Sequence, residues 1–323
     1  MWRCLKKEWW LKIKKMKNYY RIMLGQKSIY ADECFKGNFI GADFGLEIDL
    51  KNKLPDNWKT FNHEFIPIYL QNRPEKTKVA AGLACGALWT VCKGILKGDI
   101  VLCPNGSGSY YVGEVLDEYS YHPGQILPHR RTVKWHPKTI DRAEMSQALQ
   151  YSTGSIGTVS TITKYADEIE KLIGGNVPAT IISTDATVED ASVFALEKHL
   201  EDFLVQNWEQ TELGRKYDIY TVDGEIVGQQ YPSDTGPMDI LAISKDKKEL
   251  LVVELKKGRA SDNVVGQVQR YMGYALEELA EEGQTVRGVI IALEDDTRIK
   301  RALAVAPNIE FYRYQVSFKL FKS

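Results

Sequence analysis

A chain of 323 residues, 44% of them hydrophobic, has material for two packed cores, because single cores rarely grow beyond about 250–300 residues. The formal net charge of −1 excludes a globally basic nucleic-acid binder, so any phosphate-facing charge has to be local. Five cysteines without a CxxC pair speak against a disulfide framework or a zinc site, and no apolar run nears the ~18 residues of a membrane span; the expectation is a reduced, cytoplasmic protein with no membrane partner.

Residues 1–16 are a basic, aromatic extension without the uninterrupted apolar stretch of a secretory signal. A peripheral tail and an arm touching phosphate or lipid both fit it. Residues 17–173 carry short apolar runs, aromatics and glycine turns, the pattern of a small mixed domain with a curled sheet. Lys78 to Ile95 has Ala, Leu, Val and Trp89 at helical spacing, which predicts a helix close against a sheet, with Cys85 and Cys92 on one buried face. Lys97 to Cys103, then Asn105 to Ser109, then Tyr110 to Val115 reads as strand, turn, strand. The GSGS within that turn is no phosphate-binding loop, because no Gly-Lys-Ser/Thr follows it.

A helix over about Ile162 to Ile173 ends at Gly174 and Gly175, as expected of a helix C-terminus, and 174–187 reads as a linker. Beyond it the pattern predicts a helix (Val188 to Asn207), a strand or hairpin (Lys216 to Gln229) and strands at Met238 to Ser244 and Glu249 to Lys256. A helix (Ser261 to Glu281), a strand (Val286 to Ala292), a helix (Asp296 to Val305) and a strand (Ile309 to Leu320) follow. Such alternation implies an α/β domain over 188–323, a mixed sheet flanked by helices.

Chemistry is concentrated where two of these strands meet. Leu250 to Val253 is an apolar run suited to a strand buried on both faces, yet it ends in Glu254 and Lys256, which share one face. Asp239 begins the preceding strand, and the short Lys245 to Lys248 turn can bring its carboxylate near Glu254. Charges beside a buried strand are costly unless paired, and a hard divalent cation with a phosphate would pair them. Lys256 would then position water and offset charge growing on the phosphate.

Asp239 followed by Glu254-Leu255-Lys256 resembles the PD-(D/E)xK nuclease signature. The surrounding GPMDILAISKDKKELLVVELKKGRASDNVVGQVQRYMGYALEEL is similar to the NucS-like endonuclease domain, over roughly residues 188–320. The resemblance implies a restriction-endonuclease-like fold, dependence on Mg²⁺ or Mn²⁺, and hydrolysis of DNA phosphodiesters. It further implies that Asp239 and Glu254 are metal ligands, that Lys256 is the catalytic lysine, that Gln267 lines the site and that one or both of Glu197 and Glu201, a helical turn apart with Glu197 the first choice, add an acidic group. Tyr271, one helical turn from Gln267, either faces the site or packs between helix and sheet. Lys257, Arg259 and Arg270 join Lys256 as local positive charge for double-stranded DNA.

Residues 80 to 140, through Gly98-Asp99-Ile100-Val101, Tyr111 to Val115 and His129 to Trp135, are similar to the EVE/PUA-like modules of modification-dependent restriction enzymes. Such modules hold a flipped base in an aromatic pocket. Trp89, Tyr111, Tyr121 and Trp135 are its candidate walls here, with Arg130 and Arg131 as candidate phosphate contacts. The resemblances imply a restriction enzyme that senses a modified base. Repair of mismatched or branched DNA is the alternative, and a nucleotide-regulated or inactive nuclease fold is a third. Cutting both strands takes two active sites, so a homodimer is expected.

Overall fold

The computed structural model describes residues 17–154, 157–174 and 200–315. In chain order its elements begin with strand β1 (Tyr19–Ile22), helix α1 (Ala31–Gly37), β2 (Phe39–Ala42), α2 (Trp58–Asn72) and α3 (Lys78–Trp89). Then come β3 (Ile100–Pro104), β4 (Ser109–Val115), β5 (Ser120–Tyr121), β6 (His129–Trp135), β7 (Ile140–Asp141), α4 (Gln147–Thr153), β8 (Val159–Thr161) and α5 (Ala166–Leu172). After helical residues 200–206 follow β9 (Tyr217–Ile219), the small hairpin β10 (Thr221–Val222) and β11 (Glu225–Ile226), β12 (Gln229–Ser233), β13 (Gly236–Ser244) and β14 (Glu249–Arg259). The chain closes with α6 (Asn263–Tyr274), β15 (Thr285–Glu294), α7 (Thr297–Ala304) and β16 (Ile309–Arg313).

The described residues form two compact units. The first takes the chain up to Asp56 and again from Ala87 to 174, and the second takes Asn57–Gly86 together with the chain from 200 onward. Both are mixed α and β. The linker segment and the first half of the helix expected over 188–207 lie outside the described residues, as do Glu197, the basic extension and the end of the last strand.

In the first unit a curled mixed sheet runs β2-β6-β4-β3-β1-β8, with β5 beside β6 and β7 beside β4. The expected hairpin is β3 and β4, paired from Ile100↔Glu114 to Pro104↔Tyr110. Alternation divides its side chains between two cores: Ile100, Leu102, Tyr110 and Val112 on one face, Val101, Cys103 and Val115 on the other. Cys34, Cys92 and Cys103 are buried in this unit, and burial pushes their thiols up in pKa, as expected of core cysteines.

The helix read over Lys78 to Ile95 does not run through. It gives way after Trp89 to a wider turn over Thr90–Gly94, closed by the Ile95 N–H donating to the Thr90 carbonyl at 2.8 Å. The cause is visible in β6: Arg131, 1% exposed, donates through Nη1 to the Ile95 carbonyl at 2.6 Å and through Nε to that of Asp117 at 2.8 Å. The same Nη1 lies 3.4 Å from each of the carbonyls of Val91 and Cys92. A buried guanidinium thus satisfies the carbonyls that a loosened helix end leaves over.

In the second unit the sheet runs β12-β13-β14-β15-β16, with β9 against β13. β12, β13 and β14 are antiparallel; β14, β15 and β16 are parallel. β14 is covered on both sides, as its apolar run required: Leu250 and Val252 enter one core with Tyr271 and Tyr274 of α6, and Leu251, Val253 and Leu255 enter the other with Trp208. Each such side chain contributes roughly 1.5–3 kcal/mol by leaving water. α6 ends at Tyr274 and its expected last turns form a wider turn over Ala275–Leu279.

The helical pair α2–α3 adds to the first of these cores. Val79 is buried beside Tyr231 and Leu279, the Tyr231 hydroxyl donates to the Val79 carbonyl at 3.2 Å, and the Lys78 N–H donates to Glu281 Oε1 at 2.8 Å. Residues read as the middle of an N-terminal domain therefore pack within the C-terminal unit. Amphipathic spacing says that a helix has an apolar face, not which sheet that face covers. Among the described residues no helix is long and apolar enough to cross a membrane.

Candidate active site

The hairpin β13–β14 pairs Ile240 with Val253, which puts Asp239 across from Glu254. The carboxylate of Asp239 is fixed by the Leu255 N–H, which donates to its Oδ2 at 2.7 Å. Glu254 is 2% exposed, and its Oε1 is 3.0 Å from the Lys256 ammonium, two residues on and on the same strand face. Just beyond, β14 loses register with β15 between Lys256 and Arg259, so the triad lies where the sheet becomes irregular.

A third carboxylate arrives from the helical residues 200–206. Glu201 is 3% exposed, and it accepts from Gln229 Nε2 through Oε1 at 2.6 Å and from Gln230 Nε2 through Oε2 at 2.5 Å. Gln230 Nε2 also lies 3.1 Å from Asp239 Oδ1, and Gln229 Nε2 donates to Asp202 at 2.8 Å. Burial, then the nearby charges of Glu254 and Glu201, push the Asp239 carboxyl well above the usual carboxylate range.

From α6, Tyr271 presents its hydroxyl 3.3 Å from Gln267 Nε2, while its ring is buried in the core under β14. The packing between helix and sheet is as read from the sequence. Burial raises its hydroxyl pKa, and Glu254 and Asp239 add to the rise, which places the phenol within their field. Gly236, at φ +125, passes so close that a Cβ there would be 3.1 Å from this hydroxyl. A left-handed backbone and a close approach together explain glycine at that position.

Gln230 is the residue that reading the sequence missed. It lies in the left-handed region at φ 52, opposite Asp239 within β12, between the pairs Gln229↔Ile240 and Tyr231↔Met238. A non-glycine residue there costs on the order of 1–2 kcal/mol. Neighbours on a regular strand point to opposite faces; the turn at Gln230 lets both glutamine amides reach Glu201. A consecutive polar pair beside Tyr231 was the only signal, and it looks like an ordinary edge strand.

The donor set fits a hard divalent cation: Glu201, Asp239 and Glu254 offer only carboxylate oxygen, with no thiol or imidazole. As they stand, no three such side chains among the described residues converge closely enough to hold an ion; the Gln230 amide bridges Glu201 and Asp239, and the Lys256 ammonium lies beside Glu254.

The remaining expected contacts divide. Arg270 and Arg259 are exposed, and Arg259 is 3.4 Å from Glu294; Lys257 is partly buried. Arg131 cannot serve phosphate, because its guanidinium is buried on backbone carbonyls. Arg130 is engaged similarly, donating to the carbonyls of Leu127 and Ile126 at 3.1 and 2.6 Å and lying 3.8 Å over the Phe39 ring.

The four aromatic residues do not form one pocket. Tyr111 and Trp135 cluster with Phe35, at ring separations of 4.3 to 6.0 Å. Tyr121 lies instead against His129, and Trp89 donates to the Pro55 carbonyl at 2.9 Å.

Two family models match the chain: a domain of unknown function, DUF8426, over residues 20–164, and the Endonuclease NucS C-terminal domain over 196–318. No curated protein matches. Among solved structures, a complex of EndoMS with double-stranded DNA is 14% identical, at a TM-score of 0.31, over 67% of this chain and 68% of that one. A repair endonuclease from Pyrococcus abyssi is 16% identical, at a TM-score of 0.29, over 66% of each chain. EndoMS in apo form is 15% identical, at a TM-score of 0.29, over 68% of this chain and 79% of that one. Over residues 196–318, then, the chain is similar to the Endonuclease NucS C-terminal domain.

Proposed function

We propose that the protein is a divalent-metal-dependent DNA endonuclease whose active site is Asp239, Glu254 and Lys256, assisted by Glu201 and Gln267. The observation that carries this reading is the juxtaposition of Asp239, Glu254 and Lys256 within a domain of the endonuclease type. Asp239, Glu254 and Glu201 would hold Mg²⁺ or Mn²⁺, which supplies Lewis acidity at a phosphodiester and lowers the pKa of bound water. Lys256 holds its ammonium beside Glu254, where it can orient water and offset charge building on phosphate oxygen. Gln267 and the Tyr271 hydroxyl form a short polar array under the same strand face, suited to fixing a water or a phosphate oxygen. Arg270, Lys257 and Arg259 supply local positive charge for the duplex. Cleavage of duplex DNA with Mg²⁺ or Mn²⁺, abolished in Glu254→Gln, tests this; undiminished cutting by that variant would remove the assignment.

Target choice rests on the first unit. A modified-base reader is narrowed to Tyr111 and Trp135 with Phe35, since Trp89 and Tyr121 lie on other groups. Methylated, hydroxymethylated, unmodified and mismatched duplexes compared in one assay separate a restriction role from a repair role. Equal cutting of modified and plain DNA ends the reader hypothesis. Sedimentation with and without duplex tests the homodimer that double-strand cutting calls for.

A further inference from the structure

We propose that Gln230 is a positioning residue that keeps the cation's place, bridging Glu201 and Asp239 through its amide and turning away when an ion binds. The inference rests on the divalent-metal reading above.

Three observations carry it. The Gln230 amide nitrogen is 2.5 Å from Glu201 Oε2 and 3.1 Å from Asp239 Oδ1, so it presents donors between two carboxylates that would otherwise repel. Its backbone is left-handed at φ 52 in the middle of a strand, a conformation that persists only where surrounding bonds enforce it. The amide is neutral, so it draws the carboxylates together without cancelling their charge. A cation does both. The three acids do not converge on an ion as they stand, and the Gln230 amide is the group lying between two of them.

Gln229 keeps its own bonds to Glu201 Oε1 and Asp202, so Glu201 stays tethered when the Gln230 bridge opens. Asp239 likewise keeps the Leu255 N–H on Oδ2. One oxygen of each acid is therefore anchored while the other is exchanged, which limits the rearrangement to a single side chain. A placeholder lowers apparent metal affinity by the fraction of molecules in which it is withdrawn.

The test is Mn²⁺ binding to the full chain without DNA, followed by calorimetry or by loss of the free-ion EPR signal. Gln230→Ala and Gln230→Met both remove the amide donor, and circular dichroism establishes that each is folded. The expectation is tighter Mn²⁺ binding by roughly threefold or more, with a larger rise in melting temperature on loading than in the parent. Unchanged or weaker binding in the folded variants overturns the placeholder, and weaker binding would mark Gln230 as a ligand instead. Should both variants unfold, the ¹⁵N side-chain amide signal of Gln230 in the unsubstituted protein decides: it must move on Mg²⁺ addition, and a stationary signal in a chain that binds Mg²⁺ overturns the proposal. No Glu254-dependent binding of Mn²⁺ by the parent would sink the metal reading itself, and this inference with it.

Discussion

The backbone N–H of Leu255 donates to the side chain of Asp239 at 2.7 Å, so the strand that supplies Glu254 also fixes the acid facing it. Orientation is thereby built into the hairpin. Asp239→Asn preserves size and can keep that bond, but it removes the charge. Cleavage should fall by at least about 100-fold without any loss of melting temperature in the metal-free protein, as expected when a group acts on the chemistry at the expense of the fold. Comparing single-turnover cleavage with thermal melting checks both halves.

Asp239 gives the pH dependence a definite sign. Its folded-state pKa is raised, by burial first and then by Glu254 and Glu201, so ionising it costs the metal-free fold stability. Below the unfolded value, near 3.8, this penalty is absent; it grows as pH rises toward the folded value and is complete above it. With chelator present, the stability difference between the parent and Asp239→Asn should move against the parent as pH rises through that window. Mg²⁺ affinity should rise over the same window, because the ion displaces a proton. Melts in EDTA and in Mg²⁺ across a pH series check both trends.

Gly236→Ala places a Cβ 3.1 Å from the Tyr271 hydroxyl at a backbone φ of +125. The strain should cost about 1–3 kcal/mol. Because Tyr271 bonds Gln267, cleavage should fall by more than stability alone explains. Tyr271→Phe is the control: it deletes the bond without the strain and should cost only about 0.5–1.5 kcal/mol. Urea denaturation of both variants, with cleavage rates under conditions where each is folded, checks this.

Arg131→Ala separates an internal arginine from a DNA contact. Its loss leaves the Ile95 and Asp117 carbonyls without the charged donor, at about 3 kcal/mol for two such bonds. The dependence of DNA affinity on salt should keep its slope, whereas Arg270→Ala, at an exposed position, should reduce the slope by about 1. Chemical denaturation and filter binding across a salt series report the two effects separately.

Val79→Asp, in the N-terminal half of the sequence, should unfold the second unit, since Val79 is 1% exposed in the core that holds Tyr231 and Leu250 and an unpaired buried charge costs several kcal/mol. Loss of cleavage together with an exposed tryptophan signal from Trp208 checks it; retained cleavage would mean that α2–α3 is not needed by this core.

Much of the second unit was legible because one physical signal dominated each element. Leu250 to Val253 had to be a strand covered on both faces, and the short turn before it fixed the partner strand, so Asp239, Glu254 and Lys256 were bound to meet. Arg131 was misread because a charged residue in a strand pattern is ordinarily solvated; here the carbonyls of Ile95 and Asp117 hold it in the interior. Gln230 was missed because its role depends on a left-handed backbone that no periodicity encodes. The placement of α2–α3 was missed because an apolar helix face does not name its partner. Trp89 and Tyr121 were grouped with Tyr111 and Trp135 by residue type, but Trp89 ends a helix and donates to Pro55, and the β5–β6 register sets Tyr121 beside His129.

The return of residues 57–86 to the second unit has a consequence for how the chain divides. A chain divided at 174–187 would carry the second unit without residues 57–86, with the apolar floor under Tyr231 laid open. The two halves of this sequence are therefore not interchangeable cassettes. An exchange of the first unit for another sequence has to leave residues 57–86 in place with the second unit.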